Sequence, residues 1–256
     1  MPRASSAFGR ADDRPMAVDG ADRRMRGAAT HRARGALRID WEHSVTPASI
    51  AIGLLFAVLG AAAERLASVW PADEARRRST SWRTVVLAVA SGLAATGIVV
   101  RSQLPWWATA VHLVILGLLV LLTATDLEQR RLPHILLDPL IVVAVLFVPF
   151  NPAIDPLSAL IGAGAAVAFL GTLGLVVRGG LALGDLYLVA PIGLILGWPA
   201  IFSALFAAAF LAAGTSIVLL AVRRVGMRTY IPFGPFLVAG AVFALLTQPG
   251  VLTISP

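Results

Sequence analysis

Two aspartates stand at the ends of long apolar stretches. Asp126 lies in LLTATDLEQRRLP, residues 121–133, and Asp185 lies in GGLALGDLYLVAPIGLILGW, residues 179–198. A carboxylate at the edge of such a stretch is costly unless it is paired, hydrated or used. Two carboxyls held together cannot both ionise readily, so one keeps a proton while the other stays charged. The charged one can take a proton from water, and the neutral one can donate to a carbonyl oxygen. Such groups titrate as a pair rather than singly. Spacing alone leaves a second reading open, in which each carboxylate sits in the wet headgroup layer and caps a helix end.

The elements that must position these residues are membrane spans. The chain is 58% hydrophobic and only 14% charged, with a mean hydropathy of +0.83. A soluble helix needs a charged outer face, and most apolar runs here have none. The net charge of +7 is not a nucleic-acid signature: all 21 basic residues are Arg, and beyond the N-terminal segment they fall at the breaks between apolar runs. Charges so placed fix topology in a bilayer. The absence of cysteine excludes disulfides and thiolate metal sites and leaves the redox compartment open.

A crossing needs roughly 20 apolar residues. Eight stretches approach that length: 47–63, 84–100, 105–125, 135–150, 157–177, 184–198, 200–222 and 233–253. Pro and Gly clusters separate most of them, as at helix boundaries. The fold expected is therefore all-α, a polytopic membrane protein of about eight (seven or eight) transmembrane helices. Residues 1–46 carry nine Arg, six acids and no apolar periodicity, and read as a disordered tail. Residues 47–104 read as two spans with a short loop, and 105–256 as the core. The loops at 64–83, 126–133, 178–184 and 223–232 hold eleven Arg, against Arg101 alone in the intervening breaks. That bias puts Asp126 and Asp185 at the same, cytoplasmic face. The same alternation places residue 1 outside, against the vote of the tail's nine Arg. Small-residue runs at 162–166 and 207–209 suit close helix packing in lipid.

Three motifs follow one another in the core. Asp126 at a helix end is followed by a short polar stretch and Pro133. Next comes Ala182-Leu183-Gly184-Asp185, with a small-residue helix ending in Leu196-Gly197-Trp198. Last stands Ile231-Pro232-Phe233-Gly234-Pro235-Phe236. In this order and with this topology, residues 105–250 resemble the type IV prepilin peptidases, membrane aspartic proteases with a Gly-x-Gly-Asp signature. The resemblance implies that Asp126 and Asp185 activate a water that attacks a peptide bond at the cytoplasmic face. It also implies a substrate with a short polar leader and an apolar helix, a prepilin or pseudopilin, and an enzyme of the inner membrane without metal or cofactor. Its implied partners are those substrates, the lipid bilayer and the pilus or secretion machinery, with no nucleic acid. In support of the pair, Gly184 is expected to let the backbone turn tightly, Pro133 to start the next helix, and Pro232 and Gly234 to form a rigid, non-helical lead-in to the last span.

The chain departs from the family pattern at named places. Ala182 stands where the signature has its first Gly. Tyr187 stands where a Lys is frequent, and His134 where Asn or Asp often follows the Pro. Many bacterial relatives carry two Cys-x-x-Cys pairs with zinc and an N-methylating function. Without cysteine, the form implied is a peptidase alone. Two other readings use the same residues. One is a proton-relay transporter, against which stand the boundary position of the acids and the lack of an inverted repeat. The other is an inactive relative that binds pilin precursors, in whose favour stand Ala182 and Tyr187. Among other polar residues, His112 reads as a packed core residue. Glu128, Arg130 and Arg131 read as a solvated face or topology anchors. Asp138 reads as a first-turn acid competing for a catalytic role. Trp106, Trp107 and Trp198 read as an outer aromatic belt.

Overall fold

The computed structural model describes residues 45–70, 81–176, 182–223 and 232–254, and their regular elements are all helical. In chain order these are α1 Pro47–Ala67, α2 Trp82–Arg101, α3 Trp106–Gln129 and α4 His134–Phe147, the last continued by a 3₁₀ turn at Val148–Phe150. They are followed by α5 Pro156–Val176, α6 Leu183–Leu196, α7 Ala200–Ala221 and α8 Gly234–Thr247. Each apolar stretch of the sequence corresponds to one of these helices. The reading of residues 1–44 as a tail falls outside the described residues, as do Arg76, Arg77, Arg78, Arg178, Arg224, Arg228 and Ile231.

Local chemistry sets the boundaries. Thr46 with Ser49, and Ser81 with Thr84, form capping boxes that start α1 and α2. Pro105 and Pro133 are the N-caps of α3 and α4. The Asp155 carboxylate accepts from the N–H groups of Leu157 and Ser158 at 2.9 and 3.3 Å, satisfying free donors at the start of α5. Gly197, at φ +65°, closes α6, a conformation that glycine adopts without steric cost.

Five helices, α1, α2, α3, α5 and α7, are long and apolar enough to cross a bilayer. The other three, α4, α6 and α8, are apolar but have only 14 residues each. The chain is thus a polytopic helical membrane protein. Its lipid-facing surface is apolar, with Leu54, Val58, Phe206 and Phe210 among the exposed side chains.

The helices associate as antiparallel pairs brought close by small residues. On α1 and α2, Gly53 faces Thr96 and Gly60 faces Ser91, and the Ser91 hydroxyl donates to Phe56 O at 2.8 Å. On α5 and α6, the backbones of Gly162 and Gly193 touch, and the Ser158 hydroxyl donates to Trp198 O at 2.9 Å. On α7 and α8, Gly240 lies on the backbone of Ala204. Lipid tails are as apolar as the side chains, so close van der Waals packing of this kind drives association. α3 is the most buried span and packs against α1, α2, α4 and α8.

Three helices are bounded differently from the sequence reading. α3 continues to Gln129, so Asp126 lies in its last helical turn rather than in a loop. Nothing in 126–129 breaks a helix, and the turn comes only where Arg130 takes a left-handed conformation, φ 54°. Gly184 lies within α6 rather than in a turn before it. The last helix begins at Gly234, with Pro235 in its first turn, where proline is tolerated; only Pro232 and Phe233 keep the expected non-helical lead-in. The helix ends at Thr247 rather than 253.

A Cβ on Gly193 would lie 2.6 Å from Ala163 Cα and 2.8 Å from Gly162 O, atoms of a facing backbone that cannot rotate away. Gly193→Val is expected to cost about 1–3 kcal/mol by overpacking. Gly164→Val, whose Cβ would meet nothing within 4 Å, is expected to be neutral. Thermal unfolding in detergent, followed by circular dichroism, compares the two.

Candidate active site

Asp126 hangs from the last turn of α3 and Asp185 from the first turn of α6. Both are buried, at 6% and 2% relative exposure. The fold brings them together, and the Asp185 carboxyl acts electrostatically on Asp126.

The surroundings of each carboxyl follow from its place on a helix. Asp185 is the third residue of α6, the position from which a side chain faces the N-cap backbone, and the N–H of Ala182, the N-cap, acts on its carboxyl. Asp126 stands at the carbonyl end of its own helix, where partial negative charge disfavours an anion. Another helix compensates, because the backbone N–H of Gly234, the first residue of α8, meets the Asp126 carboxyl. Each acid is therefore met by the amide end of a short helix, α6 for Asp185 and α8 for Asp126.

One oxygen of each acid, Asp126 Oδ2 and Asp185 Oδ2, is buried without a hydrogen-bond partner. Two hydroxyls on the same turn as Asp126 are already engaged. Thr123 Oγ1 donates to Leu119 O at 2.8 Å, and Thr125 Oγ1 donates to Leu122 O at 3.0 Å. Two neighbouring carboxyls, each oriented by a backbone donor and each with an oxygen to spare, can share a proton and pass it to a third group.

The other residues singled out in the sequence have the following places. Gly234 is required by close approach, because a Cβ there would sit 2.6 Å from Asp126 Oδ2. Gly184 packs against Leu132, whose Cδ1 would be 3.2 Å from an added Cβ. Its expected role as a turn residue is corrected to one of helix packing, since α6 has already begun at Leu183. Pro133 starts α4 as expected. Tyr187, half exposed on α6, meets the ring of His134 edge to face. Leu132 is the neighbour that sequence reasoning missed; its one signal is its place beside Pro133.

The remaining polar residues stand apart from the pair. Asp138 is the fifth residue of α4, just past the first turn, with 68% of its side chain exposed, 3.6 Å from His134. His112 is buried in α3, with Nδ1 2.9 Å from Ala108 O and its ring edge to face with Phe147. Glu128 pairs with Arg83 at 3.8 Å, and Gln129 Nε2 donates to Ala67 O at 2.7 Å. These two contacts tie the α1–α2 pair to the end of α3 that bears Asp126. Among the described residues, no three His, Asp or Glu side chains cluster as a metal site would require.

The fold and the site together define a helical membrane protein with two buried, neighbouring carboxyls at one end of its bundle. Residues 113–217 match the type IV leader peptidase family. The chain is 33% identical over 153 residues to a prepilin leader peptidase/N-methyltransferase of Aeromonas hydrophila, covering 58% of this chain and 53% of that protein. It is 29% identical over 147 residues to a protein of the same name from Bacillus subtilis, covering 55% and 56%. A third, from Aeromonas salmonicida, is 32% identical over 154 residues, covering 58% and 53%. The chain spans about half the length of these curated relatives. No solved structure matches it. The segment that matches the type IV leader peptidase family holds both aspartates.

Gly234→Ala forces its new methyl group and the Asp126 carboxyl apart. A displacement on the order of 1 Å at a reacting group can cost about 10²-fold in rate. The expected result is a loss of that order in cleavage of a co-expressed prepilin-like protein, at unchanged membrane level, read by the mobility shift of the pilin.

Proposed function

We propose that this chain is a membrane aspartic endopeptidase that removes the leader from type IV prepilins or pseudopilins, with Asp126 and Asp185 as its catalytic pair. The observation that carries the reading is the meeting of two buried carboxyls inside the segment that matches the leader peptidase family. The names of the curated relatives support the substrate class.

The chemistry follows from the pair. The ionised carboxyl takes a proton from a water held between the acids, and the oxygen of that water attacks the scissile carbonyl carbon. The neutral carboxyl donates its proton to the carbonyl oxygen as the tetrahedral intermediate forms. The C–N bond then breaks as the leaving nitrogen takes the proton first removed from water. The hydroxyl proton returns to the other acid, and the pair is restored. Gly184, Gly234, Pro133, Pro232 and Tyr187 support the pair without reacting.

Helix length supports placing the site below the membrane surface. α6 and α8 have 14 residues each, about 21 Å at 1.5 Å per residue, against a hydrocarbon core of about 30 Å. Helices this short, beginning near the two acids, are consistent with a pair set inward from the face on which they start. An apolar substrate helix would then lie among the spans while its polar leader stays in water. The Arg bias makes that face cytoplasmic, in the inner membrane. The relatives' names include an N-methyltransferase; the absence of cysteine favours a peptidase alone here.

The test is co-expression with a prepilin-like protein of the same genome, read by the mobility shift of the pilin. Asp126→Asn and Asp185→Asn are each expected to lower cleavage by about 10³-fold or more at normal membrane levels. Asp138→Asn, exposed and outside the pair, is expected to cleave at close to the wild-type rate. A wild type that cuts none of the pilin-like proteins would overturn the reading.

A further inference from the structure

Asp126 and Asp185 come from helices far apart in sequence, so the start of α6 must be held in register with the end of α3. Two contacts between the α3–α4 connector and α6 flank Asp185 along the chain. On one side, the bare backbone of Gly184 lies on Leu132, where an added Cβ would be 3.2 Å from Cδ1 and 3.3 Å from Cβ. On the other, Tyr187 meets His134 edge to face, with ring centroids 5.5 Å apart and planes at 79°, a favoured aromatic geometry. Leu132 and His134 bracket Pro133 at the end of the short connector that follows the Asp126 turn of α3. Asp138 lies 3.6 Å from His134 Nδ1, one turn further along α4, with both side chains largely exposed. Tyr187 is 50% exposed and the His134 side chain 69% exposed, so neither ring is there to fill the core.

We propose that Leu132–Gly184 and His134–Tyr187 form a two-rung latch between the α3–α4 connector and α6, which sets Asp185 against Asp126. His134 and Tyr187 are then positioning residues that act through Asp185. The role rests on the two-aspartate reading, but its first test needs no activity.

The chain has no cysteine, so Asp126→Cys with Asp185→Cys introduces two thiols into the full chain in its membrane. The rate at which a short bifunctional thiol reagent joins them reports how the two positions are held. Adding Tyr187→Ala is expected to slow joining by about two- to tenfold, the size of effect an edge-to-face pair supports. His134→Ala is expected to do the same, and the two together no more than either alone, as for residues acting through one contact. Tyr187→Phe keeps the ring and is expected to join at the parent rate. With both aspartates present, Tyr187→Ala is expected to lower kcat for prepilin cleavage and leave KM unchanged. An unchanged joining rate in Tyr187→Ala, effects that multiply in the double variant, or equal loss in Tyr187→Phe would each overturn the latch. A working latch in a protein that cleaves no pilin would instead overturn the substrate reading alone.

Discussion

Burying two carboxyl groups side by side at the end of an apolar bundle is the constraint around which this molecule is arranged. In a membrane protein neither acid can turn to bulk water, and each needs a donor that the fold itself supplies. The donors are backbone amides. Helix starts leave N–H groups unpaired, and α6 and α8 both start beside the acids, so that the amide of Ala182 acts on Asp185 and that of Gly234 on Asp126. No side-chain cation is needed for this. In each acid the Oδ2 oxygen is left without a hydrogen-bond partner.

The helices are uneven in length: α3 and α7 are long enough to cross a bilayer, whereas α4, α6 and α8 have 14 residues each. Short helices have little length over which to pack, and two of them are secured by contacts of backbone on backbone. Gly193 on α6 meets Gly162 and Ala163, and Gly240 on α8 meets Ala204. The α1–α2 pair lies outside the matched family segment, yet it is fastened to the Asp126 end of α3 through Gln129 and Glu128. The site is thus braced both from within that segment and from outside it.

Departures from the family pattern acquire meaning in space. His134 and Tyr187 are each unusual by that pattern and are far apart in the chain, yet their rings touch. Each change taken alone counts against the likeness; together they form one contact between α4 and α6. Ala182 is a milder departure. Its backbone is extended at φ −81°, a conformation open to any residue, and the backbone N–H that serves Asp185 does not depend on the side chain.

The apolar stretches, their Pro, Gly and Ser/Thr boundaries and the two acids at their ends were all legible in the sequence, because each depends on short-range chemistry. Thr46 and Ser81 cap, Pro133 starts a helix, and an uninterrupted apolar run needs a bilayer. The same locality explains the errors. The apolar run stops at Asp126, which reads as the helix end, although the turn waits until Arg130. A glycine beside an acid reads as a turn, so Gly184 was given a conformational role that belongs to packing against Leu132. Which amide serves which acid, why position 234 has no room for a Cβ, and that residues 134 and 187 meet were decided by the tertiary structure alone. These are contacts between helices distant in the chain, and nothing within one turn of sequence encodes the partner.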